Sequence, residues 1–230
     1  MLSALSIEFY PKDFPMTREQ IVAEIEQSGI VAVIRLHNSD RALRITDALL
    51  NGGVNALEIT MTVPNALRVI EEIAQRSDGS VILGAGTVVD VKTAQAVLDA
   101  GADFIVSPVL LPDLIEIAHK NNKPAFIGAF SPTEIFSAWQ AGADVVKVFP
   151  ASRLGAKYFK DIHGPLPQIK LTPTGGVNLH NAADFIRYGA SFLGVGTSLL
   201  DTQLIRDNDW GGLSQRATQF KLTVQEARTQ

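Results

Sequence analysis

The stretch Gly142-Ala143-Asp144-Val145-Val146-Lys147-Val148-Phe149-Pro150 sets a lysine inside an apolar, β-branched run, where a strand buried on both faces is expected and an ammonium ion is costly. Burial disfavours the charged form of an amine, and a neutral amine is the nucleophile that attacks a ketone to form a Schiff base. A buried ion pair, or a lysine reaching to a rim, accounts for the same residue, and both readings stay open here. Glu58 in Ala56-Leu57-Glu58-Ile59-Thr60 is the second charge in an apolar run. A carboxylate near such an amine is the usual acid–base partner in iminium chemistry, or it is simply the lysine's ion-pair partner. Arg35, closing Ile30-Val31-Ala32-Val33-Ile34-Arg35, offers a planar fork for a substrate carboxylate, a structural salt bridge being the plainer alternative. Thr87 follows Gly84-Ala85-Gly86 and brings a hydroxyl to a glycine-rich strand end, a pattern also common in ordinary loops.

Two glycine-bearing segments, Pro173-Thr174-Gly175-Gly176-Val177-Asn178 and Gly194-Val195-Gly196-Thr197-Ser198, suit an anion. Glycines let backbone N–H groups approach phosphate oxygens, and a helix expected from Asn178 would add its positive end. Tight strand ends explain the glycines separately; their paired placement favours phosphate. The histidines His37, His119, His163 and His180 show no metal-ligand spacing. No Gly-x-Ser-x-Gly elbow, Walker loop or dinucleotide fingerprint stands out.

These residues need elements to position them. Eight short runs read as strands, at 30–35, 56–60, 81–87, 104–108, 124–130, 145–150, 170–176 and 192–198, separated by amphipathic stretches of helical length. Helices are expected near 39–50, 64–75, 91–100, 112–121, 132–141, 154–162 and 178–188, with flanking helices at 17–28 and 213–227. Ser39, Asp90, Ser131 and Asn178 are suitable N-caps, and Pro64, Pro112 and Pro132 suit first turns. Gly53, Gly101, Gly142 and Gly189 each stand shortly before a strand as helix-ending glycines. Eight βα units in this length predict a (β/α)8 TIM barrel with an N-terminal helix, a doubly wound open sheet being the runner-up. In such a barrel the polar residues above all fall at C-terminal strand ends, where these folds keep their chemistry.

The 230 residues, 46% hydrophobic with a net charge of -4, describe a globular chain without a basic footprint for nucleic acid. Absence of cysteine excludes disulfides, thiolate metal sites and cysteine nucleophiles. The opening residues lack a signal-peptide pattern and no uncharged apolar run is long enough to span a bilayer, so a cytoplasmic location is expected. A single domain over 1–230 is expected, with an extension at 1–16 and a tail at 201–230 carrying a closing helix.

In order along the chain, Ile30-Val31-Ala32-Val33-Ile34-Arg35, Leu57-Glu58-Ile59-Thr60-Met61-Thr62-Val63-Pro64, Gly84-Ala85-Gly86-Thr87-Val88, Phe104-Ile105-Val106-Ser107-Pro108, Val146-Lys147-Val148-Phe149-Pro150-Ala151 and the two glycine segments resemble the 2-keto-3-deoxy-6-phosphogluconate (KDPG) aldolases and their 4-hydroxy-2-oxoglutarate (KHG) relatives. The resemblance spans about residues 17–200. It implies a metal-free class I aldolase without a cofactor, acting on a keto-acid phosphate and assembled as a homotrimer, with no nucleic-acid or membrane partner. By matching motif, Lys147 would form the Schiff base and Glu58 would be the general acid/base. Arg35 and Thr87 would hold the pyruvyl carboxylate, with Thr62, Phe149, Pro150 and Thr174 as further substrate-binding residues. Phosphate would fall to Gly175, Gly176, Gly196, Thr197 and Ser198. Two departures stand out: Thr62 where some members carry arginine, a charge Arg35 would replace, and Gly128-Ala129, followed by Phe130, where many have Pro-Gly. The galactonate epimer and KHG are alternative substrates. A phosphosugar isomerase or synthase barrel and a non-catalytic phosphometabolite-binding barrel are the more distant readings.

Overall fold

In the computed structural model, which describes residues 16–77 and 79–229, all eight runs become parallel strands: β1 (Ile30–Ile34), β2 (Ala56–Thr60), β3 (Ile82–Gly86), β4 (Phe104–Val106), β5 (Ala125–Ala129), β6 (Val145–Val148), β7 (Leu171–Pro173) and β8 (Leu193–Val195). The helices are α1 (Arg18–Ser28), α2 (Ala42–Asn51), α3 (Ala66–Arg76), α4 (Val91–Asp99), α5 (Pro112–Lys120), α6 (Pro132–Gln140), α7 (Lys157–His163), α8 (Ala182–Arg187), α9 (Thr202–Arg206) and α10 (Trp210–Thr229). The expected N-terminal extension lies outside the described residues except for Met16.

Strand order is β7-β6-β5-β4-β3-β2-β1-β8, and the seam between β7 and β8 closes through bridges pairing Leu171 with Ala190 and Thr174 with Gly194. Across that seam the Ser191 N–H donates to the Leu171 carbonyl at 2.9 Å, and the Thr172 hydroxyl to that of Phe192 at 2.9 Å. The ring is therefore a TIM barrel and not an open sheet.

Side-chain alternation divides the core into two shells. Val31, Ala56, Ile82, Phe104, Phe126, Val145 and Phe192 fill the lower barrel interior, and Ile21, Val22 and Ile25 of α1 plug it from below. The Phe104 and Phe126 rings stack at 4.9 Å, and Phe192 lies 5.4 Å from Phe126. The outward residues, such as Ile34, Leu57, Leu83, Ile105, Ile127 and Val146, belong to a second shell beneath the helices. Aromatic filling of the lower interior leaves the upper half for Glu58 and Lys147, two residues along β2 and β6 from Ala56 and Val145 on the same face.

Local chemistry explains the boundaries. Thr17 caps α1 and Ser131 caps α6, each in a reciprocal capping box, and Asp90 caps α4. Gly53, Gly101, Gly142 and Gly189 all take positive φ, between 83° and 101°, so the repeated helix-ending device is present in all four units. Four expectations shift. Asn38 caps a 3-10 turn at Ser39–Arg41, which delays α2 to Ala42. Asn65, at φ 56°, stands between Pro64 and α3. Asn178 is not the cap of α8: its side chain accepts from the His180 N–H at 2.9 Å while Asn181 accepts from the Asn178 N–H at 2.8 Å. This side-chain-bonded turn competes with helix and delays α8 to Ala182. The strands also end earlier than expected, so Arg35, Thr87, Phe149, Pro150, Thr174–Gly176 and Gly196–Ser198 lie just past the ladder, in the mouth loops.

The tail holds the expected closing helix and the short α9, for which no expectation was made. On α10, Leu213, Ala217, Phe220, Val224 and Ala227 are buried. A Cβ at Gly52 would lie 2.5 Å from Ala217 Cβ and from the Ser214 carbonyl, so only glycine lets α10 lie this close to the end of α2. Lys221 Nζ donates to the Ser28 carbonyl at 2.7 Å and Arg228 to that of Gln27 at 3.0 Å, which ties α10 to α1. Among the described residues no helix is long and apolar enough to cross a membrane.

Candidate active site

Lys147 on β6 and Glu58 on β2 meet inside the upper barrel, with Nζ 3.7 Å from Oε1 and side chains only 6% and 4% exposed. The separation is informative. Lys123 and Asp103 sit at 2.8 Å and Lys170 and Glu26 at 2.7 Å, whereas this most deeply buried pair is held beyond hydrogen-bond distance. A purely structural buried pair needs close contact to offset desolvation. Instead Glu58 Oε1 is buried without a hydrogen-bond partner among the described residues, an unmet acceptor facing an amine. The Phe149 ring centroid lies 5.6 Å from Nζ and adds an aromatic wall.

Glycine creates the space for the carboxylate. Gly86 is the register partner of Thr60, and a Cβ there would strike Glu58 Oε1. Gly128, the register partner of Lys147 on β5, has its side-chain space occupied by the Pro108 carbonyl group and the Val109 nitrogen. That close approach leaves no room for a side chain at position 128. Sequence reasoning missed the role of Gly86, although Gly84 and Gly86 at two-residue spacing mark one face of β3 as stripped of side chains.

At the mouth above β1 and β2, Arg35 is exposed and, among the described residues, has no hydrogen bond or ion pair. Thr60, fully buried, donates to the Ile34 carbonyl at 3.3 Å and shares a hydrogen bond with Thr62 at 2.8 Å. Arg35 and Thr62 thus stand on neighbouring strand ends. Thr87 takes φ 59°; a β-branched residue there is strained, and such strain concentrates at functional sites.

The β7 and β8 loops form the other side. Gly175 and Gly176 have φ 88° and 83°. The Ser152 N–H donates to the Gly175 carbonyl and the Ala151 N–H to that of Thr174, both at 2.9 Å, locking the segment after Phe149 and Pro150 against this loop. Among the described residues the N–H groups of Gly176, Val177, Thr197 and Ser198 donate to no protein acceptor. That leaves a set of free backbone donors around the expected anion position. The Ser198 carbonyl is taken by Arg216. The expected help from a helix N-terminus is corrected here, because α8 begins only at Ala182 and the Asn178 turn lies between.

Two of the histidines stand apart from this constellation: His119 pairs with Asp144 at 2.9 Å, below the site, and His163 Nε2 bonds the Ile169 carbonyl at 3.0 Å. Among the described residues no group of three or more His, Asp or Glu side chains is arranged to hold a metal. The arrangement suits covalent amine catalysis with a nearby proton carrier, a carboxylate-binding cation at one rim and an anion cradle at the other.

Residues 21–216 match the family model for KDPG and KHG aldolases. The chain is 33% identical over 198 residues to the 2-dehydro-3-deoxy-phosphogluconate aldolase of Haemophilus influenzae, covering 84% of this chain and 92% of that one. It is 34% identical over 197 residues to the enzyme of the same name from Pseudomonas aeruginosa, covering 84% and 89%. Among solved structures, a KDPG aldolase from Legionella pneumophila with pyruvate captured as a covalent carbinolamine superposes with a TM-score of 0.80 at 28% identity, over 86% of this chain and 97% of that one.

Proposed function

The chain belongs to the KDPG and KHG aldolase family of carbon–carbon lyases, and from that premise we propose that Lys147 and Glu58 cleave KDPG to pyruvate and glyceraldehyde 3-phosphate. The carrying observation is the buried pair held at 3.7 Å with an unpartnered carboxylate oxygen. Neutral Lys147 attacks the C2 ketone, and loss of water leaves an iminium. Glu58 moves the protons of that step. It then takes the C4 hydroxyl proton, directly or through water, so that the C3–C4 bond breaks into the iminium. The aldehyde leaves, the enamine is protonated at C3, and water hydrolyses the resulting iminium to pyruvate and free Lys147. Arg35 and Thr87 hold the carboxylate, with Thr62, Thr174, Phe149 and Pro150 around the carbon chain. The phosphate is held by backbone donors of the Gly175–Gly176 and Gly196–Thr197–Ser198 loops, whose unused N–H groups support this reading.

Incubation with pyruvate and borohydride, followed by peptide mass analysis, is expected to add one reduced pyruvyl group at Lys147 alone. Labelling at another lysine, or none, overturns the assignment. Homotrimeric assembly belongs to the same reading. It is supported by Phe136 and Trp139 on α6, rings 5.8 Å apart and both over a third exposed, since aromatic residues are enriched in association surfaces. Sedimentation equilibrium should give three times the chain mass, and Trp139→Ser should lower it; a monomeric wild type refutes the trimer.

A further inference from the structure

Beyond the residues that the reaction uses, one aromatic residue just past the end of β5, Phe130, has its backbone held from two helices. Along β5, Phe126 faces the lower barrel interior while Ile127 and Ala129 face the helix shell. The empty side-chain position of Gly128 abuts the Pro108–Val109 segment over the mouth. Alternation therefore turns position 130 towards the mouth. Gly128 pairs in register with Lys147 and Ala129 with Val148, and the Phe149 N–H donates to the Ala129 carbonyl at 3.0 Å, so Phe130 and Phe149 are the residues that next follow the paired ends of β5 and β6.

Both backbone polar groups of Phe130 are tied down by side chains from two different helices. Its N–H donates to Glu134 Oε2 at 3.0 Å, and its carbonyl accepts from the Tyr158 hydroxyl at 2.9 Å. Glu134 also accepts from the Ser131 N–H at 2.7 Å and from its hydroxyl at 2.8 Å. These donors hold its carboxyl below the usual range, the Ser131 bonds foremost, and so keep it ionised. Burial, then the Glu134 charge, raises the Tyr158 phenol and keeps it a donor. The residue so held is 40% exposed. The Glu134 bonds belong to the capping box of α6, with Phe130 just ahead of the cap, and the Tyr158 bond from α7 adds a second tie on the carbonyl side.

We propose that Phe130 is a specificity-determining residue, a fixed wall closing the β5 side of the mouth so that the aldehyde half of the substrate is directed towards the β7 and β8 loops. The inference rests on the aldolase reading above. Strand order supports the direction: Lys147 lies on β6, the anion cradle on the β7 and β8 side, and Phe130 on the opposite side.

The test is pyruvate addition to two acceptors, glyceraldehyde 3-phosphate and the bulky, uncharged 2-methylpropanal, with wild type, Phe130→Ala, Phe130→Leu and Tyr158→Phe. In each reaction the pyruvate enamine forms a bond to the aldehyde carbon, the carbonyl oxygen takes a proton, and hydrolysis frees the lysine. Phe130→Ala is expected to shift the kcat/KM ratio towards the branched aldehyde by about 10-fold or more, the scale on which apolar walls discriminate. Phe130→Leu should restore most of the wild-type ratio. Tyr158→Phe keeps the ring but loosens its mount, so a smaller shift in the same direction is expected. Borohydride trapping of pyruvate at Lys147 in every variant separates the two claims: loss of trapping in wild type sinks the aldolase reading. Normal trapping with an unchanged acceptor ratio sinks only the wall. Equal change for both acceptors, or dissociation of the assembly in Phe130→Ala, also overturns it.

Discussion

Glu58 and Gly86 face each other across β2 and β3, and the contact makes the glycine a positioning residue for the carboxylate. With a Cβ at position 86, the carboxyl group must swing away from its present place beside Lys147. Gly86→Ala is therefore expected to lower kcat by on the order of 10²–10⁴, the usual contribution of a positioned acid or base, and Glu58→Gln to fall in the same range. Pyruvate should still be trapped at Lys147 in both. A Gly86→Ala protein with wild-type kcat refutes this role whatever its melting temperature. Lys147 and Glu58 were legible in the sequence because a charge within an apolar run has few explanations. Gly86 was not, since an absent side chain signals nothing until its neighbour across the sheet is known. The strain at Thr87 was equally hidden, because sequence does not display a positive φ.

The elements carry a second pattern, at the opposite end of the strands from the chemistry. In the units that enter β4 and β6, Asp103 and Asp144 follow Gly-Ala and each reach back to the neighbouring strand. Asp103 accepts from the Leu83 N–H at 3.1 Å, and Asp144 from the Ala125 N–H at 2.9 Å. Lys123 holds the first carboxylate at 2.8 Å, and Arg18 and His119 hold the second at 3.1 and 2.9 Å. These clamps fix the start of the ladder, and the N-terminal face of such barrels serves stability. The corresponding unit before β8 has Ser191 in place of Asp, at the seam closed by isolated bridges and the Thr172–Phe192 hydrogen bond. Asp144→Ala is expected to cost about 2–3 kcal/mol in a denaturant melt, as a charged hydrogen-bond network is lost, while kcat stays within about twofold because the site lies at the far end. A large fall in kcat at full foldedness contradicts that division of labour. The Gly-Ala-Asp repeat was readable as punctuation between helix and strand. Its clamping role was not, because the carboxylate's target belongs to a strand about 20 residues earlier, brought alongside only by the fold. The start of α8 was misread for a related reason: Asn178 satisfies local turn bonds that compete with helix capping.

At the scale of the whole barrel, the order of strands decides what the site can recognise. Lys147 on β6 is followed round the ring by the β7 and β8 loops and then by Arg35 above β1, so on the proposed reading a substrate joined to the lysine meets the backbone N–H groups of those loops on that side and the Arg35 cation beyond them. Sequence order alone could not show that β8 returns to β1, because counting strands does not distinguish a closed ring from an open sheet; closure is what turns the distant Arg35 and Thr197 into neighbours of one mouth. The consequence is a preference set by remote binding. KDPG should be cleaved with a kcat/KM about 10²-fold above that of unphosphorylated 4-hydroxy-2-oxoglutarate, since charge-assisted bonds from several backbone donors to a dianion are worth a few kcal/mol and help orient the reacting carbons. Gly176→Val should erase most of that difference. A Cβ there meets Ser152 Cβ at 2.5 Å, and φ 83° strains a β-branched residue, so the loop must move and its N–H groups lose their aim. The same variant should still trap pyruvate at Lys147, which touches none of these donors. Equal kcat/KM for the two substrates in wild type would show that the paired glycine loops serve only as tight strand ends, and would make the hydroxyoxoglutarate the better account of a site that still cleaves through the lysine.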